Sequence, residues 1–313
     1  MPTKSVFPSL SLPGLTCLVT GATGFIGRHL VALLAAAGVQ VHALSRSGRA
    51  VPGARHNWVC RLEDEEAVRG VLAEVKPRVI FHLASHVTGA RDASQVMPTF
   101  RDNLQSTLNL LQASLDAGGP RLVLAGSMEE PDLAAGECAP SSPYAASKAA
   151  AQVYARLYRE LYALDVRVAR IFMVYGPGPQ DENKLVPFLA RALRRGDSPP
   201  MSSGTRPVDW IYVEDVARGL MALAESAGSS SDPVDLGSGS TLTVRDLGET
   251  LQRLVGGTGQ IGFGALPDRA LETVRVADVE RTRQRIGWNP TVTLEEGLRR
   301  TLDWFDANPP AGA

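Results

Sequence analysis

Cysteine is scarce in this chain. Three occur in 313 residues, at Cys17, Cys60 and Cys138, with no CxxC pair among them. An odd, scattered set argues against a disulfide framework or a structural zinc site, and a reducing, cytoplasmic setting fits best. Charge of one sign is also missing, since 32 Lys+Arg face 33 Asp+Glu. That balance gives no support for nucleic acid or an anionic membrane as the main partner. No apolar run reaches the roughly 18 residues that a membrane span requires. No grouping of histidines with carboxylates points to a metal, and His82 in an apolar run reads as packing. Trp210, Trp288 and Trp304 read as core residues. Residues 1–13 mix Pro, Ser and Lys without an apolar stretch, so they read as a flexible lead-in and not a signal peptide. Residues 309–313 read as a frayed tail.

Apolar residue is plentiful. At 44% hydrophobic, the chain can build one large domain or two modest ones around a substantial core. A short β-type run, Leu15 to Thr20, meets a glycine-rich turn, then a periodic apolar stretch from Ile26 to Ala37 that stops at Gly38. A second β run follows at Val39 to Leu44, completing a βαβ unit. The alternation continues with helices expected at Glu63 to Val75, Phe100 to Ala117 and Tyr144 to Leu164. Strands are expected at Val79 to Leu83, Arg121 to Ala125 and Val166 to Phe172. Such a rhythm predicts a parallel sheet covered on both faces. Beyond Tyr175 the pattern loosens into a polar, Gly/Pro-rich loop at Gly176 to Asn183 and a smaller set of helices, Leu185 to Arg195, Val244 to Leu254 and Leu294 to Phe305.

The turn Thr20 to Gly27 reads TGATGFIG, with glycines at 21, 24 and 27. Between a strand and a helix, glycines permit a tight turn, close approach of backbone to a pyrophosphate, and helix packing on the strand. The helix start offers unpaired N–H groups to phosphate oxygens. At the end of the second strand, where an acid would bind the 2′-OH of NAD, stands Ser45-Arg46-Ser47. A guanidinium there suits the 2′-phosphate of NADP, so the reading leans to NADP, with NAD as the alternative. Tyr144 and Lys148 are four apart at a helix start and share one face. An ammonium near a phenol is expected to favour the phenolate and prepare it for proton transfer while hydride moves on carbon. Ser127, at the end of the preceding strand, is placed to hold the same oxygen.

These pieces together resemble the extended short-chain dehydrogenase/reductases, the NAD-dependent epimerase/dehydratase family of sugar-nucleotide enzymes. The resemblance runs through TGATGFIG, FHLAS (Phe81 to Ser85), DNLQSTLNLL (Asp102 to Leu111), LAGSMEE (Leu124 to Glu130), SPYAASK (Ser142 to Lys148), RIFMVYGPG (Arg170 to Gly178), VDWIYVEDVA (Val208 to Ala217) and IGWNPTVTLEEGL (Ile286 to Leu298). It implies a doubly wound (Rossmann) α/β fold with a smaller C-terminal substrate-binding domain. The expected division is 14–175 with 208–240 for the dinucleotide and 176–207 with 241–308 for the substrate, which would bind in the cleft between them. The resemblance assigns Gly21, Gly24, Phe25, Ile26 and Gly27 to the pyrophosphate and Leu83, Ala84 and Ser85 to the nicotinamide-side ribose. Ser45, Arg46 and Leu62 are expected at the adenosine end. It implies a catalytic trio of Ser127, Tyr144 and Lys148, the last two also touching the cofactor, and a structural Asn103 nearby. On the substrate side it implies Ser127, Glu129, Lys184, Leu185, Val186 and Arg269, with Arg206 as a substitute for a family arginine replaced here by Val208.

The departures narrow the chemistry. Met128-Glu129 stands where family dehydratases carry Asp-Glu, which disfavours 4,6-dehydration. GSMEEP is closer to the GSSEEYG-like segment of sugar-nucleotide 4-ketoreductases, although Pro131 replaces the Tyr-Gly. Arg61 stands where the third strand usually ends in an aspartate, and Met173 replaces a family asparagine. The expectation is an NAD(P)-dependent oxidoreductase that transfers hydride at a sugar carbon of a nucleotide sugar, leaning to a 4-ketoreductase. A redox-neutral, NAD-dependent 4-epimerase and a non-catalytic dinucleotide sensor are the alternatives. A homodimer through the two long helices is a further implication of the resemblance, and no metal, nucleic acid or membrane is expected as a partner.

Overall fold

The computed structural model describes residues 7–131, 136, 139–228, 230–256, 258–268 and 274–308. Two compact units emerge. The first comprises Met1–Ile171, Ala217–Asp235 and Glu280–Trp288, and the second Phe172–Val216, Leu236–Val279 and Asn289–Ala313. This division differs from the expected one. Residues 172–175, 208–216 and 236–240 group with the second unit, and 280–288 with the first.

The first unit begins β1 (Thr16–Thr20), α1 (Phe25–Ala36), β2 (Gln40–Ser45), β3 (His56–Val59), α2 (Glu65–Val75) and β4 (Val79–His82). It continues with the short α3 (Val96–Thr99), α4 (Ser106–Asp116), β5 (Arg121–Ser127), α5 (Pro143–Tyr162) and β6 (Val166–Ile171). The second unit holds β7 (Met173–Tyr175), α6 (Leu185–Arg194), β8 (Pro200–Met201) and β9 (Pro207–Tyr212). After α7 (Val213–Glu225) and β10 (Val234–Leu236) come β11 (Thr241–Thr243), α8 (Val244–Val255), β12 (Gly262–Phe263), α9 (Val279–Ile286) and α10 (Leu294–Ala307).

Seven strands form one sheet in the order β10-β6-β5-β4-β1-β2-β3. The pairings from β3 across to β6 are parallel. Central strands carry apolar residues on both faces, as in Val79–His82, where all four positions are buried. The sheet core gathers Leu18, Ile80, Leu110 and Leu122, all fully buried. The chain runs outward from β1 in both directions, toward β2 on one side and β4 on the other, so a switch point opens at the strand ends between β1 and β4, where such folds bind ligands.

Capping residues explain several helix starts. Asp64 accepts from the Ala67 N–H before α2, and Ser142 from the Ala145 N–H before α5. The helix expected from Phe100 to Ala117 is not uniform. Residues Phe100–Gln105 wind as a π-helical turn before regular α4 begins. Periodic hydrophobicity cannot register that difference, because the buried face stays continuous.

The flexible lead-in expected through residue 13 needs correction for residues 7–12. Phe7 bridges to Gly228, the Leu10 N–H donates to the Glu225 carbonyl, and Leu12 is fully buried. Residues 1–6 and 309–313 lie outside the described residues.

In the second unit, β9 pairs antiparallel with β11 and parallel with β7. Leu189, Val208, Leu247 and Leu298 form its core. Its buried organiser is Asp209, whose carboxylate accepts from the backbone N–H groups of Ser238, Gly239 and Ala277. Backbone hydrogen bonds of this kind satisfy a buried carboxylate.

Candidate functional site

A cavity of about 220 Å³ opens at the switch point of the first unit. Gly21, Gly24, Leu44, Ser45, Leu62 and Ala84 form its wall, with Leu83 and Ser85 alongside. Gly21 has φ +67°, and a Cβ placed on it would stand 2.6 Å from the Ala84 nitrogen. Only glycine allows β1 and the segment after β4 to come this close. Gly27 packs in the first turn of α1, where a Cβ would run into the Gly21 carbonyl oxygen. Phe25 and Ile26 open the helix. Unlike α2 and α5, α1 has no side-chain cap, and no acid stands in its first turn. Its first N–H groups are thus offered beside the cavity, as a diphosphate requires. The glycine cradle and the uncapped helix end fit the dinucleotide that the sequence implies.

At the far end of the cavity the charges are paired. The exposed Arg46 Nη1 contacts Asp102 Oδ2 at 3.2 Å, and the exposed Arg61 Nε donates to Glu63 Oε1 at 2.9 Å. Burial alone would raise the Glu63 carboxyl, but its own backbone hydrogen bond and the two guanidinium groups outweigh that effect, and the net shift is downward. The hydroxyls flanking Arg46 serve the local turn: Ser45 Oγ accepts from the Gly48 N–H and Ser47 Oγ from the Arg49 N–H. Sequence reasoning did not find Asp102 as Arg46's partner, because 56 residues separate the two.

Ser127 ends β5, while Tyr144 and Lys148 lie one turn apart at the start of α5, and all three are buried. The Tyr144 phenol and the Ser127 side chain are hydrogen-bonded. Lys148 Nζ donates to the Ala125 carbonyl at 2.8 Å and lies 5.9 Å from the centre of the Tyr144 ring. Burial pushes the phenol well above its usual range; the Ser127 hydrogen bond opposes this, and the charges of Glu129 and Glu130 add to it. Desolvation therefore sets the direction of the shift, and the phenol holds its proton. Burial also lowers the Lys148 ammonium to about 8, against the upward pull of Glu130.

The surroundings are orderly. Asn103, in the π-helical turn, accepts from Ser85 Oγ at 2.9 Å and from the His86 N–H at 2.7 Å, and donates to Ser147 Oγ at 2.9 Å. It ties the segment after β4 to α5, consistent with π-turns occurring near functional sites. His82 is buried between Thr20 (2.8 Å) and Thr107 (3.1 Å), and burial lowers its ring to about 3, with Lys148 adding to the effect. It is a neutral packing residue. Among the described residues no group of three or more His, Cys, Asp or Glu is placed to hold a metal ion. Among the same residues no helix is long and apolar enough to cross a membrane.

The remaining expected residues fall in both units. Glu129 is half-buried, and its N–H donates to Ser127 Oγ at 3.2 Å. In the second unit Lys184 stands at the N-cap of α6, Leu185 opens that helix, and Val186 is buried within it. Arg206 is half-buried just before β9. Arg269 lies outside the described residues. Sequence reasoning left Glu130 without a role, yet it is 2% exposed and its Oε1 accepts from the Ser127 N–H at 2.8 Å. The available signal was a second acid directly after a buried strand end.

Residues 17–237 match the NAD dependent epimerase/dehydratase family. The chain belongs to that family. Within it, the chain is 33% identical to a UDP-glucose 4-epimerase of Mycolicibacterium smegmatis, over 92% of this chain and 97% of that one. It is 31% identical to a dTDP-glucose 4,6-dehydratase of Actinoplanes sp., over 93% and 98% of the two chains. The solved UDP-glucose 4-epimerase of Thermus thermophilus, a complex with NAD, superposes with a TM-score of 0.80 at 29% identity, covering 94% of this chain and 100% of that one. This epimerase/dehydratase family membership carries the enzyme class and the nucleotide-sugar chemistry.

Proposed function

We propose that this chain reduces a keto group, at C4, on a nucleotide-activated sugar. The observation that carries the reading is the buried Tyr144 phenol, hydrogen-bonded to Ser127 and flanked by Lys148 and two carboxylates, Glu129 and Glu130. A phenol held protonated is prepared to donate, which is what reduction of a ketone asks of its acid. Tyr144 gives its proton to the sugar oxygen as that oxygen gains negative charge. Ser127 holds the same oxygen through its hydroxyl. Lys148 places a positive charge beside the resulting phenolate and so steadies it. Gly21, Gly24, Phe25, Ile26 and Gly27 hold the dinucleotide at its diphosphate, and Leu83, Ala84 and Ser85 line its nicotinamide-side ribose. When bound, the dinucleotide supplies the hydride. Glu129, Lys184, Leu185, Val186, Arg206 and Arg269 are assigned to the substrate.

NADPH is the preferred cofactor in this reading. Arg46 is kept by an exposed ion pair, the kind worth about 0–1 kcal/mol. A 2′-phosphate offers it a stronger, charge-assisted partner. A second reading, the redox-neutral 4-epimerase with tightly held NAD, is favoured by the names of the relatives, several of which are 4-epimerases.

We further assign a homodimer. Val153, Leu157 and Leu161 repeat every fourth residue along α5 and are exposed by 54%, 41% and 65%. Val96, Met97 and Phe100, in the segment that packs on α5, are also exposed. Light scattering is expected to give twice the chain mass. A reducing cytoplasm is the compartment we assign.

The deciding experiment incubates purified protein with NADPH and a nucleotide 4-keto sugar. NADPH consumption matched by reduced sugar supports the reductase. Stoichiometric NAD carried through purification, with interconversion of C4 epimers and no use of NADPH, replaces it with the epimerase. Failure of both, with partner binding that follows the redox state of the cofactor, makes the chain a sensor.

A further inference from the structure

Glu130 is 2% exposed and adjoins the Ser127, Tyr144 and Lys148 group of the first unit. Its backbone N–H donates to the Ser127 carbonyl at 3.2 Å, which folds residues 127–130 into a tight turn. The turn brings the side chain back to the end of β5, where Oε1 accepts from the Ser127 N–H at 2.8 Å. Space for the carboxylate comes from Gly126, since a Cβ there would stand 2.9 Å from Oε1 and 3.0 Å from Val168. A carboxylate taken out of water is costly unless hydrogen bonds and a cation offset the loss.

We propose that Glu130 is a positioning residue: its carboxylate fixes Ser127 at the end of β5 and supplies the counter-charge for Lys148 beside Tyr144. The inference rests on the reading of that trio given under the proposed function. The ionisable groups facing the pair are Glu129 and Glu130 from the turn after β5, and His82 from β4. His82 is neutral, so the carboxylates and Lys148 set the local charge. Glu129 is half-buried and acts on Tyr144, whereas Glu130 acts on both Tyr144 and Lys148. One side chain therefore joins the geometry of Ser127 to the protonation of its two neighbours.

Glu130→Gln separates the two duties. The amide oxygen still accepts from the Ser127 N–H, but the charge is gone. Both Tyr144 and Lys148 lose an upward influence, so both are expected to titrate at lower pH. The first readout needs no substrate: the titration of the Lys148 side chain, followed by NMR and assigned by difference from Lys148→Met, is expected to move from about 8 to a pH about one unit lower, a tenfold change. The second is the alkaline limb of kcat/KM, expected to move the same way. A Glu130→Gln protein that titrates and turns over with the parent's pH profile overturns the inference. If the titration moves but no nucleotide sugar is ever turned over, the proposed function fails and the role of Glu130 stands. Should Glu130→Gln fail to fold, the pair Glu130→Gln/Lys148→Met is expected to fold, because neither buried charge remains. A pair as unstable as the single variant overturns the inference as well.

Discussion

Two buried charged groups lie in the first unit, and they solve the same problem in opposite ways. Near the start of β6, Asp165 receives Arg121 at 2.6 Å, Arg167 at 3.0 Å and Arg159 at 3.4 Å. The guanidinium groups also donate to backbone carbonyls at Ala224, Ser226, Leu223, Val166 and Gly228. Arginine stays charged at any working pH, and its planar fork serves many acceptors at once. At the other group, Tyr144 and Lys148 are titratable, and burial pushes the phenol up and the ammonium down, toward their neutral forms. A structural cluster fixes its charges with many acceptors. The second group is shifted away from its ordinary ranges instead, Lys148 to about 8 and the phenol upward, and perturbed groups of this kind mark candidate functional sites.

The largest separation is expected from Tyr144→Phe. Turnover should fall by about 10²–10⁴-fold, the usual worth of a placed acid or base, while the melting temperature holds. A variant that keeps full turnover ends the assignment. Asp165→Ala should do the reverse, costing about 3–5 kcal/mol of stability because it strands three buried cations. Urea unfolding measures it, and dinucleotide affinity of the folded fraction should be unchanged.

The pH dependence sharpens the contrast further. Lys148 titrates near 8 in the folded chain, below the 10.5 of a free lysine. Between those values the unfolded chain binds the extra proton, so this group's contribution to stability rises with pH through that window. The difference in unfolding free energy between the parent and Lys148→Met should climb by on the order of 1–3 kcal/mol across it. Above pH 8, activity that depends on the ammonium should decline. A flat difference between the two proteins would contradict the assigned burial. The smallest effect is expected at the exposed Arg46. Arg46→Ala should change stability by less than about 0.5 kcal/mol but reduce the preference for NADPH over NADH about tenfold, read from the two dissociation constants. Equal loss for both cofactors would point away from a 2′-phosphate contact.

Much of this was legible in one dimension. Glycines 21, 24 and 27 sit between a strand and a helix, and Tyr144 and Lys148 keep helical spacing, so local rules locate both. What escaped depends on distant pairs. Asp102 reaches Arg46 across 56 residues, and Asp165 gathers partners up to 44 positions away. Neither pairing leaves a periodic trace. The end of β3 was placed at Arg61 only through the family resemblance, and the eight-residue α9 went unread, because a short edge strand and a highly charged helix present little apolar pattern. The direction of the Tyr144 shift escaped for another reason: sequence reveals the neighbouring lysine but not the depth at which the phenol is buried.

The run from Phe7 to Leu12 starts at the arginine cluster. Arg121 donates to the Pro8 carbonyl, and the Phe7 ring covers Arg159 at 4.7 Å. This thread is knitted to the entry ends of β5 and β6, whereas the glycine cradle sits at the exit end of β1. Amide exchange along those few residues would therefore monitor the base of the sheet and stay indifferent to saturation of the cradle. A fluorescent label or affinity handle joined ahead of Phe7 would report on integrity while leaving occupancy undisturbed.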